Sequence, residues 1–216
     1  METKEFEKYL TPGEFIDSDH QGVIDFTHTH TQGENTVKDK LIALYYAVRD
    51  GFRYDPYTLD LSRKAVKASN LITRDYGYCV EKSCLFAAGA RILGVPSRMG
   101  FANVKNHIGT AKLEEILQTD VLVFHGFTEI WQDGKWVKVT PVFNQSLCDK
   151  LNVAPLEFNG EEDAVFQEYD QAGGQFMEYL HDYGTFEDVP YEMFISELKN
   201  HYPHLSKSIL KNINPN

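Results

Sequence analysis

Two residues of the chain have side chains suited to a nucleophile and its base, Cys79 and His125. Cys79 follows the segment "DYGY" and begins a helical pattern, so its thiol is expected in the first turn of a helix. Unpaired N–H groups at a helix N-terminus stabilise a thiolate and can donate to an oxyanion. Lys82, in the same turn, is expected to favour the thiolate, and Glu81 to oppose it. The alternative for Cys79 is a buried, inert thiol.

The chain has three cysteines, Cys79, Cys84 and Cys148. Five residues separate Cys84 from Cys79, which places the two side chains about 140° apart around a helix, so they cannot share one site there. Apolar neighbours predict that Cys84 is a core residue. So few cysteines, in an odd number, do not make a disulfide framework. They indicate a reducing compartment, and we expect a cytoplasmic protein.

His125 lies in an apolar strand pattern, "VLVFHGFTE", where a base would be held rigidly. The Asp133-Gly134 pair between two apolar runs predicts a tight hairpin. With these two residues as the loop, Gln132 faces Lys135. The same register makes Thr140 the diagonal neighbour of His125. A hydrogen bond from Thr140 would then orient the imidazole.

The elements that must hold these residues are helices followed by strands. Apolar spacing predicts a helix from Asn35 to Gly51 and a buried helix over residues 79–93, and the strands come after it. This order predicts an α+β fold, with the Cys79 helix packed on an antiparallel sheet. We divide the chain into an irregular segment 1–33, a core 34–144, and a helical and loop extension 145–216 that packs on the core within one compact domain.

Composition excludes several classes of function. Acidic residues outnumber basic ones by 32 to 21, and a net charge of −11 disfavours nucleic-acid binding. The absence of an 18-residue apolar run argues against a membrane span, and the polar start argues against a secretory signal. His28 and His30 alternate in "FTHTHT", but two ligands do not make a metal site, so we expect neither metal nor cofactor.

Two blocks of the sequence resemble the transglutaminase-like superfamily of papain-type cysteine enzymes over about residues 36–144. The family pattern has G-x-C, then R-x-L-G-I-P-x-R, and later H-x-W-x-E-V with a D-G-x-W-x-x-x-D-P hairpin. The matching positions of the first block are Gly77, Cys79, Arg91, Leu93, Gly94, Val95, Pro96 and Arg98. Those of the second are His125, Phe127, Glu129, Ile130, Asp133, Gly134, Trp136, Thr140 and Pro141. The resemblance implies a papain/transglutaminase-like fold with Cys79 as nucleophile and His125 as base.

One departure from the family stands at Thr140, where the pattern has an aspartate that holds the imidazole. Thr140 could orient His125 through its hydroxyl. Asn144 or a nearby carboxylate could take that role instead. The third reading is a degenerate site, in a binding module without turnover.

The function that the resemblance implies is acyl transfer from an amide. The Cys79 thiolate attacks a peptide, protein or small amide substrate, and the thioester passes to water or to an amine. Analogy with small chains of this type favours the hydrolase, a cysteine protease or amidase, over the transglutaminase.

Overall fold

The computed structural model describes residues 6–106, 111–165 and 177–205. Helices form at α1 (Gln21–Thr31), α2 (Val37–Gly51), α3 (Arg63–Val66), α4 (Ala68–Leu71), α5 (Cys79–Ile92), α6 (Ala111–Leu117), α7 (Gln145–Leu151) and α8 (Tyr191–His201). Strands form at β1 (Arg53–Tyr54), β2 (Tyr76–Gly77), β3 (Ser97–Asn106), β4 (Val121–Gln132), β5 (Lys135–Val139) and β6 (Met177–Phe186). The predicted α+β class is confirmed, with α5 ahead of an antiparallel sheet.

The sheet has the strand order β5-β4-β3-β6, and all of its pairs are antiparallel. The predicted hairpin register is confirmed, since Gln132 lies opposite Lys135. Asp133 and Gly134 both have positive φ, as a tight turn that follows the strand twist requires. The strand pairing ends at Val139, before the turn in which the Val142 N–H donates to the Thr140 carbonyl. Thr140, which the predicted register made the diagonal neighbour of His125, is therefore not paired within the sheet.

Helix α5 is the centre of the molecule, and every residue from Cys79 to Arg91 is buried, as predicted. It lies on β4, where the Ser83 hydroxyl donates to the Gly126 carbonyl over 3.2 Å and the Thr128 hydroxyl donates to the Ser83 carbonyl over 2.8 Å. On its other side, a Cβ at Gly89 would lie 2.6 Å from Leu44 of α2. The missing side chain lets the two helices approach closely.

The prediction of an irregular segment 1–33 was wrong for residues 21–31, which form α1. Its buried side is Val23, Thr27 and Thr31, spaced four residues apart. Both threonine hydroxyls donate to the carbonyl four residues earlier. Two of these three buried residues are threonines, so the segment lacks the apolar periodicity from which a helix is predicted.

The extension 145–216 contributes to both the sheet and the layer beside it. Strand β6 pairs with β3 at the sheet edge, and this strand was not predicted. The extension also supplies helix α8, where Phe194 stacks on Phe124 of β4 with 5.5 Å between ring centroids. Among the described residues, no helix combines the length and apolar character needed to cross a membrane.

Candidate active site

Cys79 is the first residue of α5, as predicted, and a tight local structure holds it there. The parallel pairing of β1 with β2 sets Tyr54 opposite Gly77. A Cβ at Gly77 would lie 2.5 Å from Leu71 and 3.2 Å from the Glu81 carboxylate, so a larger residue would displace the Leu71 side chain. That carboxylate accepts the Tyr78 N–H over 3.0 Å, which caps the helix just before Cys79.

The Cys79 thiol is buried, with 8% of the residue exposed. Burial raises its pKa to about 11, and the Glu81 carboxylate adds to this rise in pKa. The backbone N–H groups of Gly126, Val80 and Cys79 act in the opposite direction, because they hydrogen-bond to the sulfur. At rest, Cys79 is therefore a neutral thiol that lies among N–H donors.

The expectation that Lys82 favours the Cys79 thiolate was wrong, because the Lys82 ammonium points into the core. Lys82 Nζ donates to the carbonyls of Arg49, Phe52 and Val142 over 2.8, 2.6 and 2.7 Å. Burial lowers the pKa of Lys82 to about 7. The three carbonyl acceptors act in the opposite direction, because only the ammonium has three N–H groups to donate to them. Lys82 ties α5 to the end of α2 and to the segment after β5.

His125 follows a bulge in β4. Ala102 of β3 pairs with His125 and Val104 pairs with Leu122, so Asn103 alone lies opposite two residues of β4. One of those two, Phe124, has a φ of 58°, a left-handed conformation that is strained for a bulky side chain. The Asn103 side chain stabilises it by accepting the Phe124 N–H over 2.9 Å.

The imidazole of His125 is buried, and burial lowers its pKa to about 3. It is neutral at pH 7 and able to accept a proton. His125 and Cys79 line the same pocket. The Gly126 N–H that bonds to the Cys79 sulfur belongs to the residue directly after His125. The structure thus brings together the two residues that the sequence singled out as nucleophile and base.

The two candidates for the orienting group lie outside the residues that line this pocket. Thr140 is buried, and within the described part of the chain its hydroxyl makes no hydrogen bond. Asn144 uses both ends of its amide elsewhere, accepting the Tyr54 N–H over 2.9 Å and donating to the Ser146 hydroxyl over 2.8 Å. Neither side chain is bonded to His125 in this structure.

The pocket around Cys79 and His125 has about 530 Å³ of space, part of it open to solvent. Its walls come from the segment after β1, from α6, from the start of β4 and from α8. The other lining residues are Tyr54, Pro56, Leu59, Leu61, Tyr78, Leu113, Leu117, Leu122, Val123, Phe124, Phe194, Leu198 and Tyr202. The contribution of α8 to the pocket could not be predicted from the sequence. A helix face that lines a pocket has the same apolar pattern as one that packs in the core.

The other cysteines and histidines that the structure describes form no metal cluster. Cys84 and Cys148 are buried free thiols away from the pocket, and Cys84 is a core residue as predicted. His28 and His30 lie on α1 with exposed side chains. Within residues 6–106, 111–165 and 177–205, no three side chains of the metal-binding types come close enough to hold an ion.

Comparison with a solved structure gives the same fold. A structure titled "putative cysteine protease" from Cytophaga hutchinsonii matches with a TM-score of 0.50 and 16% identity. The match covers 86% of this chain and 55% of the Cytophaga chain, so this chain spans about half the length of that relative. A "putative protease" from Parabacteroides distasonis matches with a TM-score of 0.39 and 14% identity, over 59% of this chain and 26% of its own.

No curated protein matches the chain. The family model of the transglutaminase-like superfamily matches residues 24–141. This range is more than half of the chain, and it includes Cys79, the bulge of β4, His125 and Thr140. The chain belongs to the transglutaminase-like superfamily.

Proposed function

We propose that the protein transfers the acyl group of an amide or peptide through Cys79, with His125 as the base. The observation that carries this proposal is the shared pocket, in which a thiol at a helix N-terminus lies with a neutral imidazole. Membership of the superfamily supports it. Both groups are uncharged in the resting site, because burial raises the pKa of the thiol and lowers that of the imidazole.

The reaction begins with proton transfer from the Cys79 thiol to His125. The sulfur attacks the carbonyl carbon of the substrate, and the carbonyl oxygen takes the negative charge. Backbone N–H groups of Cys79 and Gly126, which already hydrogen-bond to the sulfur, are the candidate donors to this oxygen. The imidazolium then gives its proton to the departing amine as the C–N bond breaks, leaving a thioester.

The thioester reacts next with water or with a second amine. His125 accepts a proton from the attacking molecule, and Cys79 leaves as a thiol after the proton returns. Water gives a cysteine protease or amidase, which we favour, and an amine gives a transglutaminase. The family aspartate is missing at position 140, so the proposed reaction depends on the positions of the buried groups alone.

A second candidate is a binding module that keeps the fold without turnover. Two observations favour it: Thr140 replaces the acid, and its hydroxyl makes no hydrogen bond among the described residues. The raised pKa of the thiol also costs reactivity in the resting state.

Turnover of a panel of peptides, isopeptides and small amides by wild type and Cys79→Ala separates the two candidates. We expect cleavage or amine incorporation with at least one class of substrate, and a loss of roughly 1,000-fold or more in Cys79→Ala. Cys148→Ala, which removes a thiol outside the pocket, is the matched control and should retain the rate. Equal rates in wild type and Cys79→Ala would overturn the proposal.

A further inference from the structure

The pocket beside Cys79 has walls without charge. Cys79 and His125 are its two functional residues, and the other thirteen lining residues are aliphatic side chains, a proline, phenylalanines and tyrosines. The chain as a whole carries 53 charged side chains, 21 basic and 32 acidic. None of those in the described part of the chain lines this pocket, although it opens at the molecular surface.

From this lining we infer that the pocket binds an uncharged, apolar side chain of the acyl group that Cys79 attacks, of the leucine or phenylalanine type. The inference rests on the proposed function and names the substrate class of that site. Apolar surface gains free energy when it leaves water for such walls. A lysine or aspartate side chain would lose its hydration and find no partner of opposite charge.

Two of the tyrosines that line the pocket do not offer their hydroxyls to a substrate. The Tyr202 hydroxyl is engaged, since it accepts the Val123 N–H over 2.9 Å and donates to the Val121 carbonyl over 2.7 Å. The Tyr78 hydroxyl is buried, and it has no hydrogen-bond partner among the residues described. Tyr78 directly precedes the nucleophile and lines the pocket. In this structure the hydroxyl is closed off from solvent, so Tyr78 presents its ring to the pocket, as suits an apolar side chain.

A set of thiol-directed probes tests the pocket without knowledge of the natural substrate. N-acetyl-aminoacyl chloromethyl ketones of Leu, Phe, Asp and Lys differ only in the side chain that enters the pocket. In each case the Cys79 sulfur forms a bond to the methylene carbon, chloride leaves, and His125 takes the thiol proton. We expect the Leu and Phe probes to label Cys79 roughly 100-fold faster than the Asp and Lys probes.

Iodoacetamide, which has no side chain for the pocket, separates failure of this inference from failure of the proposed function. If iodoacetamide labels Cys79 preferentially and the four probes react at similar rates, the pocket does not select apolar groups. If iodoacetamide shows no preference for Cys79, the catalytic proposal fails, and the inference fails with it.

A matched pair of variants on α6 gives a second readout. Leu117 lines the pocket, whereas Ile116 lies next to it in the chain, is 38% exposed and is not among the lining residues. Leu117→Asp should slow the Leu probe at least about tenfold and speed the Lys probe, with each rate taken relative to the iodoacetamide rate of the same variant. Ile116→Asp should leave all rates unchanged. Identical behaviour of the two variants in the probe series would overturn the inference.

Discussion

At the scale of single residues, the site consists of buried neutral groups. Burial raises the pKa of Cys79 to about 11 and lowers that of His125 to about 3, so the proton stays on sulfur at pH 7. An ion pair of thiolate and imidazolium is therefore not the resting state. Under the proposed function, the pair acts instead by general-base catalysis, with the proton moving as the sulfur attacks.

Thr140 is the residue on which the family comparison depends most, and Thr140→Val tests its role. The hydroxyl has no hydrogen-bond partner among the described residues, so its loss should leave kcat/KM within about threefold of wild type. Removing an unpaired buried hydroxyl should also raise the free energy of unfolding by up to about 1 kcal/mol. Steady-state kinetics and chemical denaturation provide the two measurements. A loss of roughly tenfold or more in kcat/KM would mean that Thr140 orients His125 after all.

At the scale of elements, the bulge in β4 determines where His125 lies. Asn103 holds it by accepting the Phe124 N–H, and its amide also donates to the Tyr183 hydroxyl over 3.1 Å. Tyr202 holds the neighbouring Val123 N–H. These polar contacts offset the strained φ of Phe124 and fix the start of the His125 segment.

Asn103→Ala is expected to loosen this bulge. The unpaired Phe124 N–H should cost about 1–3 kcal/mol of stability. Displacement of His125 should lower kcat/KM by about tenfold or more, because catalysis is sensitive to small misplacements. Asn159→Ala is the matched control, since Asn159 also accepts backbone N–H groups, from Glu161 and Glu162, but lies outside the pocket. Equal activity in the two variants would show that the bulge does not position the base.

Elements with a clear local sequence signal could be predicted, and those with polar faces or distant partners could not. The Asp133-Gly134 turn and the helix that begins at Cys79 follow from local residue types, and both are confirmed. The bulge at Phe124 could not be predicted, because "VLVF" is an unbroken apolar run and the partner that holds the bulge, Asn103, comes from β3. Strand β6 was missed because five of its ten residues are exposed, among them the polar Glu178, His181 and Asp182, as suits a sheet edge.

At the scale of the whole molecule, buried cations on α5 join distant parts of the chain. Lys82 donates to carbonyls near the end of α2 and after β5. Arg91 donates to the carbonyls of Thr11, Ser97 and Glu187, over 2.5, 3.0 and 2.5 Å. The Lys82 side chain was predicted to act on the thiolate, and sequence alone could not show otherwise, because its acceptors come from residues 49–52 and 142.

Lys82→Met tests this role of α5. The variant keeps the volume of the side chain but leaves three buried carbonyls without their donor, and it should lower the free energy of unfolding by about 3–5 kcal/mol. Lys38→Met is the control, because Lys38 makes an exposed ion pair with Glu161, and its loss should cost at most about 1 kcal/mol. Urea denaturation of both variants gives the comparison. Similar costs would contradict a structural role of the buried ammonium.

The most direct test of the central claim is the rate at which iodoacetamide alkylates each cysteine at pH 8, followed by peptide mass spectrometry. We predict that Cys79 reacts at least about 100-fold faster than Cys84 and Cys148, since a base beside the thiol sets its reactivity. The rate at Cys79 should rise with pH, because its pKa lies above the usual range, and it should fall about tenfold or more in His125→Ala. Equal rates at the three cysteines, or an unchanged Cys79 rate in His125→Ala, would contradict the assignment of Cys79 and His125 as nucleophile and base.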